Sequence, residues 1–225
     1  MTDTLTTRLA EFVKTQNIEV DPDFSLHHSG VHSVVNCVFS AQARFKTVVE
    51  PLLNRLHADL PDIPELTFSE FILRVDAVGS ERYASDVLKN RQKLSGRLKV
   101  EVARDVADFF VRHRVQTTAD FQCLDDDAAE TLMLRDLAPE VRGIGPTLAH
   151  YLLWLMGRED HVKVDSMLIR LFSRLDDHPL RLGHEGDRQR VTRAIREVAM
   201  QLDTTPARLD NALWQHESRG GSLAS

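Results

Sequence analysis

Apolar side chains recur along this chain at intervals of three and four, the spacing of one face of an α-helix. Leu5, Leu9, Phe12 and Val13 form one stripe, and Val31, Val34, Val35, Val38 and Phe39 a second. Phe45, Val48, Val49, Leu52, Leu53 and Leu56 form a third. Pro51 interrupts that third stripe, so the segment is expected to be either kinked or two pieces, because proline has no N–H and crowds the preceding turn. Thr67 and Glu70 make a capping box ahead of Phe71, Ile72 and Val75.

Residues 97–113 place Val102, Val106, Phe109 and Phe110 on one side and Glu101, Arg104, Asp105, Asp108 and Arg112 on the other. Asp125, Asp126 and Asp127 put negative charge at the first turn of a helix running toward Leu134. Residues 147–156, TLAHYLLWLM, are apolar nearly all round, which predicts a deeply buried helix. Val191, Ile195, Val198 and Leu202 mark another helix. Thr205 and Pro206 supply the cap and first position of a last one carrying Leu209, Leu213 and Trp214. No stretch alternates apolar and polar positions for the length of a strand. The pattern predicts an all-α fold, with the tail RGGSLAS flexible.

With 225 residues, 42% of them hydrophobic and 28% charged, the chain has room for one large domain or two interleaved lobes. The formal net charge of −6 argues against coating nucleic acid through bulk charge, but leaves room for a local basic face. Two cysteines, Cys37 and Cys123, make neither a disulfide framework nor a four-thiolate iron–sulfur or zinc site. Cys37 lies among Val34, Val35 and Val38 and reads as a buried, inert thiol. The start MTDTLTTRLAEFVK reads as no signal peptide, and no apolar run reaches about 18 residues, so the expectation is a cytoplasmic protein without a membrane span.

Between two helical patterns stands Arg142-Gly143-Ile144-Gly145-Pro146-Thr147. Two glycines around one apolar residue suit a tight turn with Ile144 plugged into the core. The helix that follows starts with unpaired backbone N–H groups at its positive end, which can hold a phosphate, and Pro146 fits the one position that needs no N–H. An ordinary corner between two helices is the alternative. Downstream, Asp165 precedes the apolar-periodic Ser166–Arg170 segment and reads as an N-cap. That role is compatible with chemistry, because the positive end of a helix favours a carboxylate.

The run VRGIGPTLAHYLLWLMGREDHVKVDSMLIRL resembles the signature of the helix-hairpin-helix DNA glycosylase superfamily: a Gly-hydrophobic-Gly hairpin, a buried helix, then Val-Asp-x-x-x-x-Arg. Phe39-Ser40-Ala41-Gln42-Ala43 is similar to the Leu-Ser-Ala-Gln-Ala segment of the endonuclease III branch. The resemblance implies Asp165 as the catalytic carboxylate. Gly143, Ile144, Gly145 and Thr147 then form the phosphate-binding hairpin, and Gln42 fills the space left by an extruded base. It further implies a barrel lobe over 31–146 ending in the hairpin, a second lobe of 1–30 plus 147–225, and lesion-containing double-stranded DNA bound by a monomer in the cleft between them. The implied reaction is hydrolysis of the N-glycosidic bond of a damaged or mismatched base.

Three departures qualify the match. Thr147 stands where bifunctional members carry a Schiff-base lysine, which predicts a monofunctional enzyme without β-lyase activity. The cluster cysteines are absent, so no cofactor is expected beyond room for a monovalent cation at the hairpin. Arg44 and Phe45 replace more polar residues after the Ser-Ala-Gln-Ala segment. A non-catalytic DNA-binding or damage-sensing protein on the same fold is the competing function, and a protein without a DNA role the third.

Four other groups have plain readings. His27, His28 and His32 read as a solvated loop, and Asp176-Asp177-His178 as a turn before Pro179. Arg91, Lys93, Arg97 and Lys99 form a basic run that is either a solvated face or a DNA-backbone contact. Tyr151 and Trp154 read as core, with base stacking the alternative.

Overall fold

In chain order the helices are α1 (Thr4–Thr15), α2 (Gly30–Ser40), α3 (Glu50–Asp59), α4 (Phe68–Val78), α5 (Ser80–Arg82), α6 (Lys99–Arg112), α7 (Thr118–Gln122), α8 (Asp126–Glu130), α9 (Ala138–Glu140), α10 (Pro146–Leu155), α11 (Ser166–Leu175), α12 (Glu185–Gln201) and α13 (Pro206–Ser218). π-helical turns span Phe45–Val49, Tyr83–Val87 and Thr131–Leu137. The computed structural model describes residues 4–22, 24, 29–59 and 65–219. His27, His28 and residues 220–225 of the tail lie outside them. Among the described residues the fold is all-α apart from a two-stranded antiparallel ribbon, β1 (Lys93–Leu94) and β2 (Arg97–Leu98), in which Lys93 pairs with Leu98 and Leu94 with Arg97. Ser95 and Gly96 turn the ribbon with φ of 53° and 85°, and strands of two residues each are too short to leave an alternating pattern in the sequence.

The chain divides into two compact units: Leu26–Gly157, and Met1–Ser25 with Arg158–Ser225. In the first, α4 packs on α6, α6 on α2, and α2 on α10. The sequence reading places residues 147–225 in the second lobe, whereas α10 lies in the Leu26–Gly157 unit. The reason lies in its polar as well as its apolar positions. Cys37 Sγ donates to the Leu148 carbonyl at 3.2 Å, Ser33 Oγ to the Leu155 carbonyl at 3.0 Å, and Tyr151 Oη to Asn36 Oδ1 at 3.2 Å, tying the helix to α2 along its length. Tyr151 and Trp154 are buried there, as core.

The segment around Pro51 stays continuous but changes from π-helical to α-helical pitch. Pro51 sits in the first turn of α3, and the π-helical turn Phe45–Val49 runs into that helix, widening the backbone just before the residue that lacks a donor. The Thr67 capping box forms as written: Glu70 N–H donates to Thr67 Oγ1 at 3.2 Å and Thr67 N–H to Glu70 Oε2 at 2.9 Å, and the Thr67 N–H and hydroxyl, both donating to the Glu70 carboxylate, hold it below its usual range.

In the other unit α1 packs on α12 and α11, and α13 on both of those. Its core joins Leu5 and Leu9 of α1 to Leu171 and Phe172 of α11, Ile195 of α12 and Leu213 of α13. Thr6 Oγ1, itself buried, donates to Glu197 Oε2 of α12 at 2.7 Å, so a hydroxyl on the apolar face of α1 is satisfied across the helix pair. Among the described residues no helix is long and apolar enough to cross a membrane.

Candidate active site

The hairpin occupies the turn from α9 to α10. Gly143 has a φ of 111°, which side-chain-bearing residues rarely adopt, and a Cβ there would stand 3.3 Å from Leu94 Cγ and 3.6 Å from Val102 Cγ1. The turn is thereby pressed onto the β-ribbon and α6. Ile144 is buried, and its N–H donates to the Val141 carbonyl at 2.9 Å. Gly145 differs in both respects: its φ of −101° is ordinary, and nothing lies within 4 Å of where its Cβ would be. Pro146 takes the first helical position and no side chain caps α10. The first-turn amides at Thr147 and Leu148 therefore have no intrahelical acceptor, and the positive end of the helix is open. Thr147 is half-buried and Arg142 exposed.

Gln42 lies in the same unit, just past the end of α2. Ala41 is extended and Gln42 is exposed at a φ of 55°, an uncommon conformation for a residue with a side chain. Under this turn sits Lys99, 2% exposed. Its ammonium donates to the Phe39 carbonyl at 3.0 Å, the Ala41 carbonyl at 2.6 Å and Gln92 Oε1 at 2.9 Å, and lies 5.8 Å from the Phe39 ring centroid. Burial pulls the ammonium down to about 8.

Three of the four cations in the basic run are ion-paired or buried. Arg91 is paired with Glu81 at 2.6 Å, Arg97 with Asp105 at 2.6 Å, and Lys99 is buried. Glu81 of α5 and Asp105 of α6 bring acids to two of these cations, acceptors at the end of α2 and on Gln92 surround Lys99, and Lys93 stays exposed.

Asp165 lies in the other unit. It caps α11: its Oδ1 accepts from the N–H groups of Met167 at 2.8 Å and Leu168 at 3.1 Å, and Oδ2 accepts no hydrogen bond among the described residues. The side chain is half-buried. The segment leading to it is held from two helices. Arg196 of α12 places Nε and Nη2 each 3.1 Å from the Asp160 carbonyl, and the Ala207 N–H of α13 donates to the Glu159 carbonyl at 3.0 Å. Closer in, the Lys163 N–H donates to Asp210 Oδ2 at 3.0 Å. Asp210 is 4% exposed, and burial pushes its carboxyl up to about 7; the Lys163 amide opposes the shift and the charge of Asp165 adds to it. Two carboxyls, one capping a helix and one buried, thus share a neighbourhood.

Sequence reasoning missed Asp210, Arg196 and the role of Lys99. A signal existed for two of them. Asp210 falls on the Pro206, Leu209, Leu213 stripe of α13, and Lys99 on the Val102, Ala103, Val106 stripe of α6, so each is a charge at buried-face spacing. Among the described residues no group of His, Cys, Asp and Glu is arranged to hold a metal ion. Asp177 pairs instead with Arg8 at 2.8 Å, and His32 Nδ1 lies 2.7 Å from Ser29 Oγ.

The model of a family described as a domain of unknown function, DUF8548, matches residues 3–218. The chain belongs to that family. No curated protein matches this DUF8548 chain. Among solved structures, the crystal structure of the Methanocaldococcus jannaschii 8-oxoguanine glycosylase/lyase in complex with a 15mer DNA containing 8-oxoguanine is similar over 99% of this chain and 100% of that one, with a TM-score of 0.52 and 14% identity. At that identity the likeness is one of fold: the DUF8548 chain has a helical fold like that of a DNA glycosylase.

Proposed function

We propose that the protein is a base-excision DNA glycosylase. It binds lesion-containing duplex DNA as a monomer and hydrolyses the N-glycosidic bond of a damaged or mismatched base. The observation that carries this reading is Asp165: a carboxylate whose Oδ1 is pinned by two amides and whose Oδ2 is left without a hydrogen bond among the described residues. A carboxylate so held faces no reorganisation when positive charge develops on the sugar, and it can orient or deprotonate the attacking water. The fold shared with a protein named as a glycosylase/lyase and crystallised on 8-oxoguanine DNA supports the reaction class.

The roles divide along the chain. The uncapped start of α10 offers the backbone N–H groups of Thr147 and Leu148 to a phosphate, and the approach is open at Gly145. Gln42, exposed on its turn, enters the stack in place of the extruded base, whose removal costs a few kcal/mol and favours lesions. Thr147 offers no amine, so strand cleavage through a Schiff base is not part of the reaction. No resident cofactor is invoked; a monovalent cation at the hairpin carbonyls is compatible with this reading.

A screen of damaged and mismatched duplexes, run with wild type and Asp165→Asn, tests the proposal. Base release by wild type and not by the variant, with no borohydride-trapped protein–DNA adduct, is the expected result. Tight binding without release by either protein would leave a damage sensor in its place.

A further inference from the structure

We infer that Lys99 is a positioning residue for Gln42, a buried ammonium that ties off the end of α2 and forces the exposed left-handed turn. The inference rests on the reading of Gln42 given above. α2 ends at Ser40, and the carbonyls at a helix end have no intrahelical donor. Lys99 Nζ supplies donors to two of these terminal carbonyls, at Phe39 and Ala41, and spends its third on Gln92 Oε1. All three ammonium donors are used, and a cation at the negative end of a helix is favourably placed.

Pulling the Ala41 carbonyl inward toward a buried group leaves the next residue to reverse the chain. Gln42 does so at a φ of 55°, with its side chain exposed. A strained backbone of this kind persists only where its surroundings over-determine it. Gln92 extends the link to the ribbon, and Leu94 of the ribbon carries Gly143. A single buried cation therefore joins the Gln42 turn to the scaffold under the hairpin.

The charged neighbours are accounted for. On the ribbon these are Lys93 and Arg97; on α6 they are Glu101, Arg104 and Asp105. Arg97 is paired with Asp105 and Arg104 with Asp76, while Glu101 Oε2 accepts the Leu98 N–H at 3.0 Å. α2 presents carbonyls and the Phe39 ring. Losing the Lys99 proton removes one of three donors and loosens the turn, so raising pH through about 8 has the same direction of effect as mutation.

Two measurements on the full chain test this. In amide NMR spectra, the Gln42 backbone and side-chain resonances move in Lys99→Met, and in wild type they titrate with a midpoint near 8. Gln42 resonances that stay fixed in both overturn the inference, and the wild-type titration stands even where the variant fails to fold. The second is binding of a fluorescein-labelled duplex carrying a tetrahydrofuran abasic-site analogue. Gln42→Ala and Lys99→Met each weaken it about tenfold, and the double variant is no weaker than either single one. Additive losses overturn the inference. Gln42→Ala without effect, alongside moving resonances, would instead sink the base-replacement role of Gln42 and leave Lys99 as its anchor.

Discussion

The starts of α10 and α11 are both helix N-termini that the proposed chemistry uses, and they are finished in opposite ways. At α10 no side chain caps the helix, so its first-turn amides are open to an anion. At α11 Asp165 takes two amides for itself through Oδ1, so the terminus is closed and the carboxylate, not the backbone, is what it presents. The supports differ as well. The hairpin turn is shaped by its own residues, Gly143, Ile144 and Pro146, and rests on the neighbouring ribbon. The approach to Asp165 is held by Arg196 and Asp210 from α12 and α13, well downstream in the chain. An open terminus suits binding, which must accept and release a chain, and a closed one suits a group that must stay in place through a reaction.

Asp165→Asn is the sharpest way to break this comparison. Base release should fall by about 10³-fold while duplex affinity holds, read by product formation against anisotropy on the same DNA. A variant that keeps its rate would reduce Asp165 to a cap.

Next in size is the pH response of Asp210. Its folded carboxyl titrates at about 7 against an ordinary 3.8, so the folded state holds a proton that the unfolded chain has released. That contribution is fully present below the ordinary value and is lost as pH rises through about 7. Thermal melts should show stability falling over that window and levelling above it, and Asp210→Asn should flatten the curve. An unchanged slope in the variant would assign the pH dependence to other groups.

The two hairpin glycines separate folding from binding. Gly143→Ala should cost about 1–2 kcal/mol in urea unfolding, because alanine meets a left-handed backbone and the Leu94 side chain. Gly145→Ala should cost under about 0.5 kcal/mol, since the position is open and its φ ordinary. The same Gly145→Ala change should weaken duplex binding severalfold if a DNA backbone approaches there. Equal stability losses at both positions would erase the distinction between them.

Much of the fold was legible without coordinates, because its elements announce themselves over a few residues. The Thr67 box, the Thr205 cap and the Asp165 cap each need a short side chain within three positions of an orphan amide, a relation written into local sequence. The apolar stripes of α1, α2 and α6 read the same way. The placement of α10 did not, because a helix apolar on every side does not say which neighbours will cover it; the hydrogen bonds to α2 decide that.

The candidate site divides on the same line. Asp165, Gly143 and Gln42 stand out by residue type and spacing alone, since each does something few other residues can. Their supports do not. Arg91 and Arg97 become ion-paired, Lys99 and Asp210 become buried, and Arg196 finds a carbonyl, all through partners whose distance in sequence carries no periodic trace. Charge is a property of one residue and can be counted along a chain. Whether it is solvated, neutralised or caged depends on what folding brings within a few ångströms, and only the tertiary structure holds that information.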